Sequence, residues 1–216
     1  MPISVDKVEE GLPISVIIPL GEKRRDFFEN NVLPMIEANN PMEIIVNSNV
    51  GGSQKKRNDG FKKSTQQYVF FCDDDIVLPA NYLQLLYETL VKNSNNPKIG
   101  YTYTGYYGIV INPRTHPLGG NFTTQSTVFN ADTLRQGNYI STMSLIKREV
   151  FIGFDENIKR FQDWDMYLTM LEKGIEGILT PNTFFWAYYL DEGITSNGNN
   201  INEALYAIRD KHKLWQ

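Results

Sequence analysis

Three short apolar runs divide the first third of this chain. They are residues 14–20 (ISVIIPL), 43–46 (EIIV) and 68–72 (YVFFC). Runs of this length without polar alternation are typical of strands buried on both faces, which occur mainly in parallel sheets. Each connection between them is long enough for a right-handed helical crossover, so this part of the chain predicts a βαβαβ unit.

Segments with helical periodicity fill these connections and follow the last run. Residues 24–40 place apolar side chains at mostly helical spacing, and residues 53–66 begin at Ser53, which we expect to be the N-cap. Residues 79–93 carry one apolar stripe after a proline. The first half therefore predicts the order βαβαβα, an α/β fold with a central, mostly parallel sheet flanked by helices.

The second half of the chain changes character. Residues 99–112 (IGYTYTGYYGIVIN) alternate hydroxyl-bearing or small side chains with apolar ones, which is typical of strands with one wetter face. Residues 163–171 have the apolar spacing of a helix, with Gly174 as its C-cap. The remaining expected elements are a loop at 113–121, a strand and short helix within 141–154, a strand at 184–190 and a terminal helix at 201–215.

Composition bounds the classes of protein to which this chain can belong. Its 216 residues, 41% hydrophobic and 21% charged, suffice for one globular domain and exclude intrinsic disorder. A net charge of −4 offers no overall attraction for DNA, RNA or an anionic membrane. The single Cys72 allows no internal disulfide, and no apolar run approaches the roughly 18 residues of a membrane span. We therefore expect a soluble, cytoplasmic protein, unless a partner protein anchors it.

Three consecutive acids follow the most hydrophobic strand. Asp73, Asp74 and Asp75 would lie at the carboxyl end of a parallel sheet, the edge at which α/β folds bind ligands. Adjacent carboxylates raise one another's pKa unless a cation compensates, and their oxygen ligands suit Mg²⁺ or Mn²⁺. The alternative is a solvated turn that supplies acid to the next helix. The position directly after YVFFC favours the metal site.

Basic residues crowd the helix predicted at 53–66. They are Lys55, Lys56, Arg57, Lys62 and Lys63. The start of this helix would face the same sheet edge, so one or two of them could neutralise a diphosphate that a metal holds from the other side. Helical spacing directs the others into water.

A second pair of acids opens the helix predicted at 163–171. Asp163 and Asp165 are separated by about 200° around a helix, so only one of them can face a cleft. Asp163, nearer the N-terminus, is the better candidate for a general base that takes a proton from a hydroxyl group. Because acids are common in any first helical turn, the pair by itself does not indicate a function.

Only two histidines, His116 and His212, are available for catalysis or metal binding. A histidine-rich metal site is therefore excluded, and neither residue lies in a nucleophile-elbow sequence. His116 lies in the loop predicted at 113–121, where it could contact a substrate, although a lone loop histidine is more commonly exposed to solvent.

The order of five segments gives the chain a specific resemblance. ISVIIPL, EIIV, KRNDG, YVFFCDDDIVLP and GFDENIKRFQDWDMYLTMLEKG resemble, in order and spacing, family 2 glycosyltransferases of the GT-A fold, over nearly the whole chain. The resemblance implies one Rossmann-like catalytic domain over 1–216, with a nucleotide-sugar-binding half at 1–98. It also implies an acceptor-binding and catalytic-base half at 99–216, which adds a smaller antiparallel element. The implied reaction is metal-dependent, inverting transfer of a sugar from a nucleoside-diphosphate sugar to an acceptor hydroxyl.

The resemblance assigns the acids to a DxD motif. Asp73 and Asp75 match its two acids, with Asp75 the more direct ligand of Mn²⁺ or Mg²⁺ and Asp73 nearer the ribose. Asp74 fills the variable middle position. Many members also place a late histidine near the metal, and here Asp191 stands at that place, so it is the expected third ligand.

Further roles follow from the same resemblance. Pro19 matches the proline that ends the first strand near the nucleotide base, and Arg57, Asn58 and Gly60 match an Arg-Asn-x-Gly segment beside the nucleotide. Asp163 matches the acid of a Glu-Asp motif and would be the catalytic base.

The turn after the second strand departs from the family pattern. Family members commonly have acids there that recognise the base, whereas this chain has neutral residues that include Ser48 and Asn49. An amide or hydroxyl can still pair with a pyrimidine edge, so UDP-sugar is the first choice of donor, with thymidine and guanosine nucleotides as alternatives.

Three other functions compete with sugar transfer to a carbohydrate or similar acceptor. A sugar nucleotidyltransferase would carry a glycine-rich loop after the first strand, where this chain has only Gly21. A degenerate, non-catalytic binding domain would explain the altered turn but not the retained acids. Transfer of sugar to DNA bases is disfavoured by the net acidity, and we expect no nucleic-acid partner.

Overall fold

The structure is a computed structural model that describes residues 3–7, 10–114, 116, 118–124, 127–189 and 201–215. Its strands are β1 (Ser4–Lys7), β2 (Leu12–Pro19), β3 (Pro41–Asn47), β4 (Tyr68–Phe71), β5 (Ile76–Val77), β6 (Ile99–Val110), β7 (Phe122–Thr124), β8 (Leu145–Lys147) and β9 (Glu176–Tyr189). Its α-helices are α1 (Arg25–Phe27), α2 (Leu33–Ala38), α3 (Ser53–Lys63), α4 (Tyr82–Lys92), α5 (Ala131–Gln136), α6 (Gln162–Glu172) and α7 (Ile201–Lys211). Turns of 3₁₀ helix span Glu22–Arg24 and Arg148–Val150, and a π turn spans Phe28–Val32.

One mixed sheet forms the centre of the described chain. Its order is β1-β3-β2-β4-β8-β6-β9-β5, with β7 paired to β6. The neighbours β3, β2 and β4 are parallel, as the βαβαβ pattern predicts. β8 is antiparallel to both β4 and β6, and antiparallel pairs also close the two edges. The α/β class is confirmed, but the expectation of a mostly parallel sheet holds only in part, because the second half of the chain inserts β8 in the opposite direction.

The apolar runs are buried on both faces of the sheet. Val16 and Phe70 belong to the hydrophobic cluster on one face, which α4 covers with its apolar stripe. Ile17 and Phe71 belong to the cluster on the other face, which contains Tyr167 of α6. This two-sided burial is the reason that these strands show no polar alternation.

Strand register places the functional segments at one edge. Pro19, the last residue of β2, pairs with Asn47, the last residue of β3, and the Cys72 N–H donates to the Ile17 carbonyl at 3.0 Å. The acids that follow Cys72 therefore emerge beside the end of β2. Gly60 lets α3 pack closely on this sheet, because a Cβ at position 60 would lie 2.5 Å from Cγ2 of Ile17.

Several local predictions require correction or refinement. The helix expected at 24–40 is confirmed over 25–38, although it contains a π turn at Phe28–Val32, in which Asn30 and Asn31 donate to the backbone carbonyls four residues earlier. Gly52, not Ser53, occupies the N-cap position of α3. The strand expected at 184–190 begins much earlier, as the end of the 14-residue β9.

None of the helices in the described ranges has both the length and the hydrophobicity needed to span a membrane.

Candidate functional site

A cleft of about 1180 Å³ lies at the carboxyl ends of β2 and β4 and extends to the start of α6. The sequence-predicted residues that line it are Pro19, Arg57, Asp73, Asp74, Asp75 and Asp163. The sheet therefore brings the acidic segment together with the proposed base, which lies about 90 residues further along the chain.

Arg24, in the 3₁₀ turn after β2, holds two of the three acids. Its Nη1 donates to Oδ1 of Asp74 at 2.7 Å and to Oδ2 of Asp75 at 2.6 Å. The other carboxylate oxygen of Asp74 accepts the backbone N–H of Gly21 at 2.7 Å. Asp74, in the variable middle of the motif, thus fastens the turn after β2 to the acidic segment. Sequence reasoning did not identify Arg24, which carries no signal beyond its charge.

Burial raises the pKa of Asp75 to about 7 against the opposing effect of Arg24, and the charges of Asp73 and Asp74 add to the rise. A cation that enters the cleft would stabilise the ionised form of Asp75. The side chains of Asp73 and Asp75 are 33% and 18% exposed, so both can be reached by a ligand.

The donor set suits a hard divalent ion, since carboxylate oxygens are preferred by Mg²⁺ and Mn²⁺. Within the described ranges no three acidic, histidine or cysteine side chains are arranged to hold a metal ion together. The expected third ligand, Asp191, lies outside the described residues. Asp73 and Asp75 therefore fit a metal whose further ligands come from substrate, water or that segment.

Arg57 of α3 connects the acids to the helix that bears the proposed base. Its Nη2 donates to Oδ1 of Asp73, and its Nη1 donates to Oε1 of Gln162 at 2.9 Å. The same oxygen of Gln162 accepts the hydroxyl of Ser53 at 3.1 Å. Gln162 directly precedes Asp163, so this network sets the position of the proposed base relative to the acids.

The basic residues of α3 divide as helical spacing predicts. Arg57 and Lys56 line the cleft, and Nζ of Lys56 donates to the Leu20 carbonyl at 2.7 Å. Lys55 and Lys62 instead pair with Asp59 on the outside of the helix. α3 therefore contributes two cationic side chains to the cleft lining.

Asn58 contacts the second half of the chain. Its amide donates to the Phe154 carbonyl at 2.9 Å, and its Oδ1 accepts the Phe154 N–H at 2.8 Å. Neither Asn58 nor Gly60 lines the cleft. The Arg-Asn-x-Gly segment thus contributes one ligand-facing residue, Arg57, and two that hold the surrounding structure in place.

The turn after β3 reaches the cleft lining at Gly52, next to the start of α3. Ser48 is half-buried and Asn49 is exposed, and neither lines the cleft. The turn is organised by Asn47, whose Oδ1 accepts the Asn49 N–H at 3.0 Å and whose amide donates to the Lys56 carbonyl at 2.9 Å. The structure thus joins this turn to α3 through Asn47.

Asp163 opens α6 at the edge of the cleft. Burial raises its pKa, whereas hydrogen bonds from the Asn138 side chain and the Trp164 N–H, the latter at 2.9 Å, lower it. Phe161, just before the helix, has a left-handed backbone with φ of 59°, which is uncommon for a bulky residue and typical of functional sites. A carboxylate held by two donors and facing a cleft is suited to accept a proton.

Asp165 faces the opposite side of α6, as the spacing predicts. It is 2% exposed and contacts Nε2 of His212 at 2.9 Å and Nζ of Lys211 at 2.8 Å. Nδ1 of His212 lies 2.7 Å from Oε1 of Glu172. Asp165 therefore attaches the C-terminal helix to α6 and takes no part in the cleft.

His116 is buried, contrary to the expectation of exposure. It is 6% exposed and lines the cleft, with its ring 5.8 Å from that of Tyr189 in an edge-to-face arrangement. The described residues of the loop predicted at 113–121 contain no helix or strand, as expected, whereas β7 and α5, which follow it, have no counterpart among the predicted elements. The lone histidine gave no sequence signal for this location.

Solved structures of S. aureus TarS share this fold. The structure of TarS 1–349 in complex with UDP-GlcNAc matches with a TM-score of 0.63 at 15% identity, covering 92% of this chain and 65% of that one. The complex of the same fragment with UDP gives 0.60 at 13% identity, with 92% and 64% covered. This chain therefore spans less than two thirds of these TarS fragments. At this level of identity the likeness shows the fold alone.

Comparison of the sequence with known proteins and families identifies the family. No curated protein matches the chain. The model of the family described as Glycosyl transferase family 2 matches residues 24–153, which is more than half of the 216 residues. The match begins at Arg24, includes the three acids and ends before Asp163. This chain belongs to glycosyl transferase family 2.

Proposed function

We propose that this protein is a metal-dependent, inverting glycosyltransferase that moves a sugar from a UDP-sugar to an acceptor hydroxyl group. One observation carries the proposal: a single cleft joins the acidic segment 73–75, the cation of Arg57 and the carboxylate of Asp163. The TarS structures with UDP and UDP-GlcNAc support uridine as the donor base.

The donor diphosphate would bind between the acids and α3. Asp73 and Asp75 would hold Mn²⁺ or Mg²⁺, with Asp191 as the third protein ligand, and the ion when bound supplies positive charge to the leaving diphosphate. Lys56 and Arg57 of α3 add positive charge to the same part of the cleft, with Arg57 paired to Asp73. Two positive sources flanking one anion stabilise the charge that grows as the sugar leaves.

Asp163 would act as the general base. Burial raises its pKa despite the hydrogen bonds from Asn138 and Trp164, which makes the carboxylate a stronger base, and its place on the cleft lining lets it reach an acceptor hydroxyl. Removal of the hydroxyl proton while the oxygen attacks the anomeric carbon, opposite the leaving diphosphate, gives one displacement. A single displacement inverts the configuration at that carbon.

We place the nucleotide base near Pro19, with Ser48 and Asn49 as its neutral partners, and we regard Asn58 and Gly60 as residues that shape the site from behind. We assign nucleotide-sugar binding to 1–98 and acceptor binding to 99–216. The lone buried Cys72, whose pKa is raised by burial, supports a reducing compartment such as the cytoplasm.

Thermal unfolding with nucleotides tests the proposal. A ligand at about 100 times its Kd stabilises by about 2.7 kcal/mol, so UDP with Mn²⁺ should raise the unfolding temperature clearly, and Asp75→Asn should remove that rise. GDP, dTDP, CDP and ADP serve as controls for the base. No rise with any nucleotide would contradict the donor site and favour a non-catalytic domain. A rise that is equal without Mn²⁺ would contradict the metal.

A further inference from the structure

Unpartnered polar atoms concentrate in the cleft. Four buried side-chain polar atoms lack a hydrogen-bond partner among the described residues: Nε of Arg57, the hydroxyl of Tyr101, Nε2 of His116 and Oγ of Ser141. All but Tyr101 belong to residues that line the cleft. Because buried polar groups in folded proteins are nearly always hydrogen-bonded, a set of exceptions around one cleft indicates groups that a ligand completes.

Arg57 illustrates the pattern at the donor site. Its two terminal nitrogens donate to Asp73 and Gln162. The Nε–H has no acceptor among the described residues. A diphosphate in the proposed position would accept from such a group. The other two atoms lie on residues that the proposed mechanism has not used.

His116 presents a hydrogen-bond donor. Its Nδ1 accepts the backbone N–H of Leu118 at 3.2 Å, so in the neutral ring the hydrogen is on Nε2. The ring packs against Tyr189, whose hydroxyl lies 3.2 Å from that of Tyr106. The N–H of the preceding residue, Tyr188, donates to the Asp75 carbonyl at 2.9 Å, so this corner of the cleft lies beside the acids.

Ser141 lies in the part of the cleft near the proposed base. It follows Asn138, whose side chain hydrogen-bonds to Asp163, by three residues. The Ser141 carbonyl accepts the Tyr167 hydroxyl at 2.8 Å and the Ser144 hydroxyl at 3.2 Å. These bonds fix the backbone of Ser141, so that its own hydroxyl is held in place without a partner in the described protein.

We infer that His116 and Ser141 form a subsite for the hydroxyl groups of the donor sugar. The inference rests on the proposed function and deepens it. In a displacement with Asp163 as base, the donor sugar must lie between the diphosphate at the acids and the base, which is the span that His116 and Ser141 border. An N–H donor and a hydroxyl suit sugar hydroxyl groups, which both donate and accept.

Paired binding measurements test the subsite. We would measure the Kd of UDP and of UDP-GlcNAc, each with Mn²⁺, by calorimetry for the wild type and for variants. His116→Asn keeps an acceptor for the Leu118 N–H but does not reach the position of Nε2, whereas His116→Gln can carry an N–H there. Ser141→Ala removes the hydroxyl and keeps the carbonyl bonds.

The expected result is selective. His116→Asn and Ser141→Ala should each weaken UDP-GlcNAc by about tenfold and leave UDP within about twofold, and His116→Gln should restore much of the loss. Ser64→Ala is the matched control, because Ser64 is also a buried serine but does not line the cleft and bonds to Phe61 and Arg148, so its loss should not change the ratio of the two Kd values.

Failure of the inference differs from failure of the proposed function. If the wild type binds UDP and UDP-GlcNAc and both variants bind them with the same Kd values, the subsite is wrong and the proposed function stands. Equal losses for UDP and UDP-GlcNAc in both variants would also overturn it, since they would indicate a structural role. Wild-type protein that binds neither ligand would contradict the proposed function together with the subsite.

Discussion

Arg24 and Asp75 are 51 positions apart in the chain, yet Nη1 of Arg24 lies 2.6 Å from Oδ2 of Asp75. The same nitrogen reaches Asp74, so one guanidinium offsets two of three adjacent carboxylates. The protonation of Asp75 therefore depends on Arg24, which belongs to a different loop. The net charge of this part of the cleft depends on Arg24 as well.

Loss of this cation should shift the pH dependence of donor binding. Asp75 has a pKa of about 7, so binding that needs its carboxylate should strengthen as pH rises through that value. Arg24 lowers this pKa, so Arg24→Gln should move the midpoint to higher pH. UDP binding with Mg²⁺, measured between about pH 6 and about pH 8.5, checks this.

Arg25→Gln is the matched control for this measurement. Arg25 pairs with Glu22 and Glu29 on the surface, so its loss should leave the midpoint unchanged. Identical midpoints for the two variants would show that Arg24 does not govern Asp75.

The same substitution at two aspartates of α6 should affect sugar transfer in one case and stability in the other. Asp163→Asn should keep UDP binding within about twofold but reduce sugar transfer by about 10²–10⁴, because a general base is lost. Asp165→Asn should leave transfer nearly unchanged and lower the unfolding temperature, because it weakens the attachment of His212 and Lys211. UDP release from UDP-GlcNAc reports the first effect. Undiminished release by Asp163→Asn would mean that another group is the base.

The C-terminal helix should lose stability as pH rises. Burial lowers the pKa of His212, but its hydrogen bonds with Asp165 and Glu172 outweigh this effect and raise the pKa above 6.5. The resulting stabilisation is complete below the unfolded value and disappears as pH rises through the folded value. His212→Gln should therefore cost about 1–3 kcal/mol at pH values near 6 and less near 8.5 in urea unfolding. An equal cost at both pH values would contradict the charged pairing.

Close packing of α3 on the sheet should make Gly60 intolerant of a side chain. Gly60→Ala places a methyl group 2.5 Å from Cγ2 of Ile17 in the core, so it should reduce the free energy of unfolding by about 1–3 kcal/mol. Gly137→Ala is the control, because a Cβ there meets nothing within 4 Å. Denaturant unfolding of both variants measures the difference, and equal stabilities would show that α3 can shift at no cost.

Local pattern explains why much of the first half could be predicted. β2, β3, β4, α3 and α4 lie within about three residues of the predicted positions, because strand burial and helix amphipathicity leave a period in the sequence. The π turn within the helix predicted at 24–40 and the direction of β8 leave no such period. They depend on side-chain to backbone bonds and on neighbours distant in the chain.

Spacing over a few residues was enough to predict the α/β class, the position of Asp73–Asp75 after a buried strand and the projection of Asp163 and Asp165 to different sides of one helix. Spacing did not predict that Arg24 and Arg57 hold the acids, that Gln162 links them to α6 or that His116 is buried in the cleft. These contacts join residues that are 16 to 105 positions apart. Charge and polarity can be read along a chain, but the partner that a side chain meets is set by how the sheet brings distant segments together.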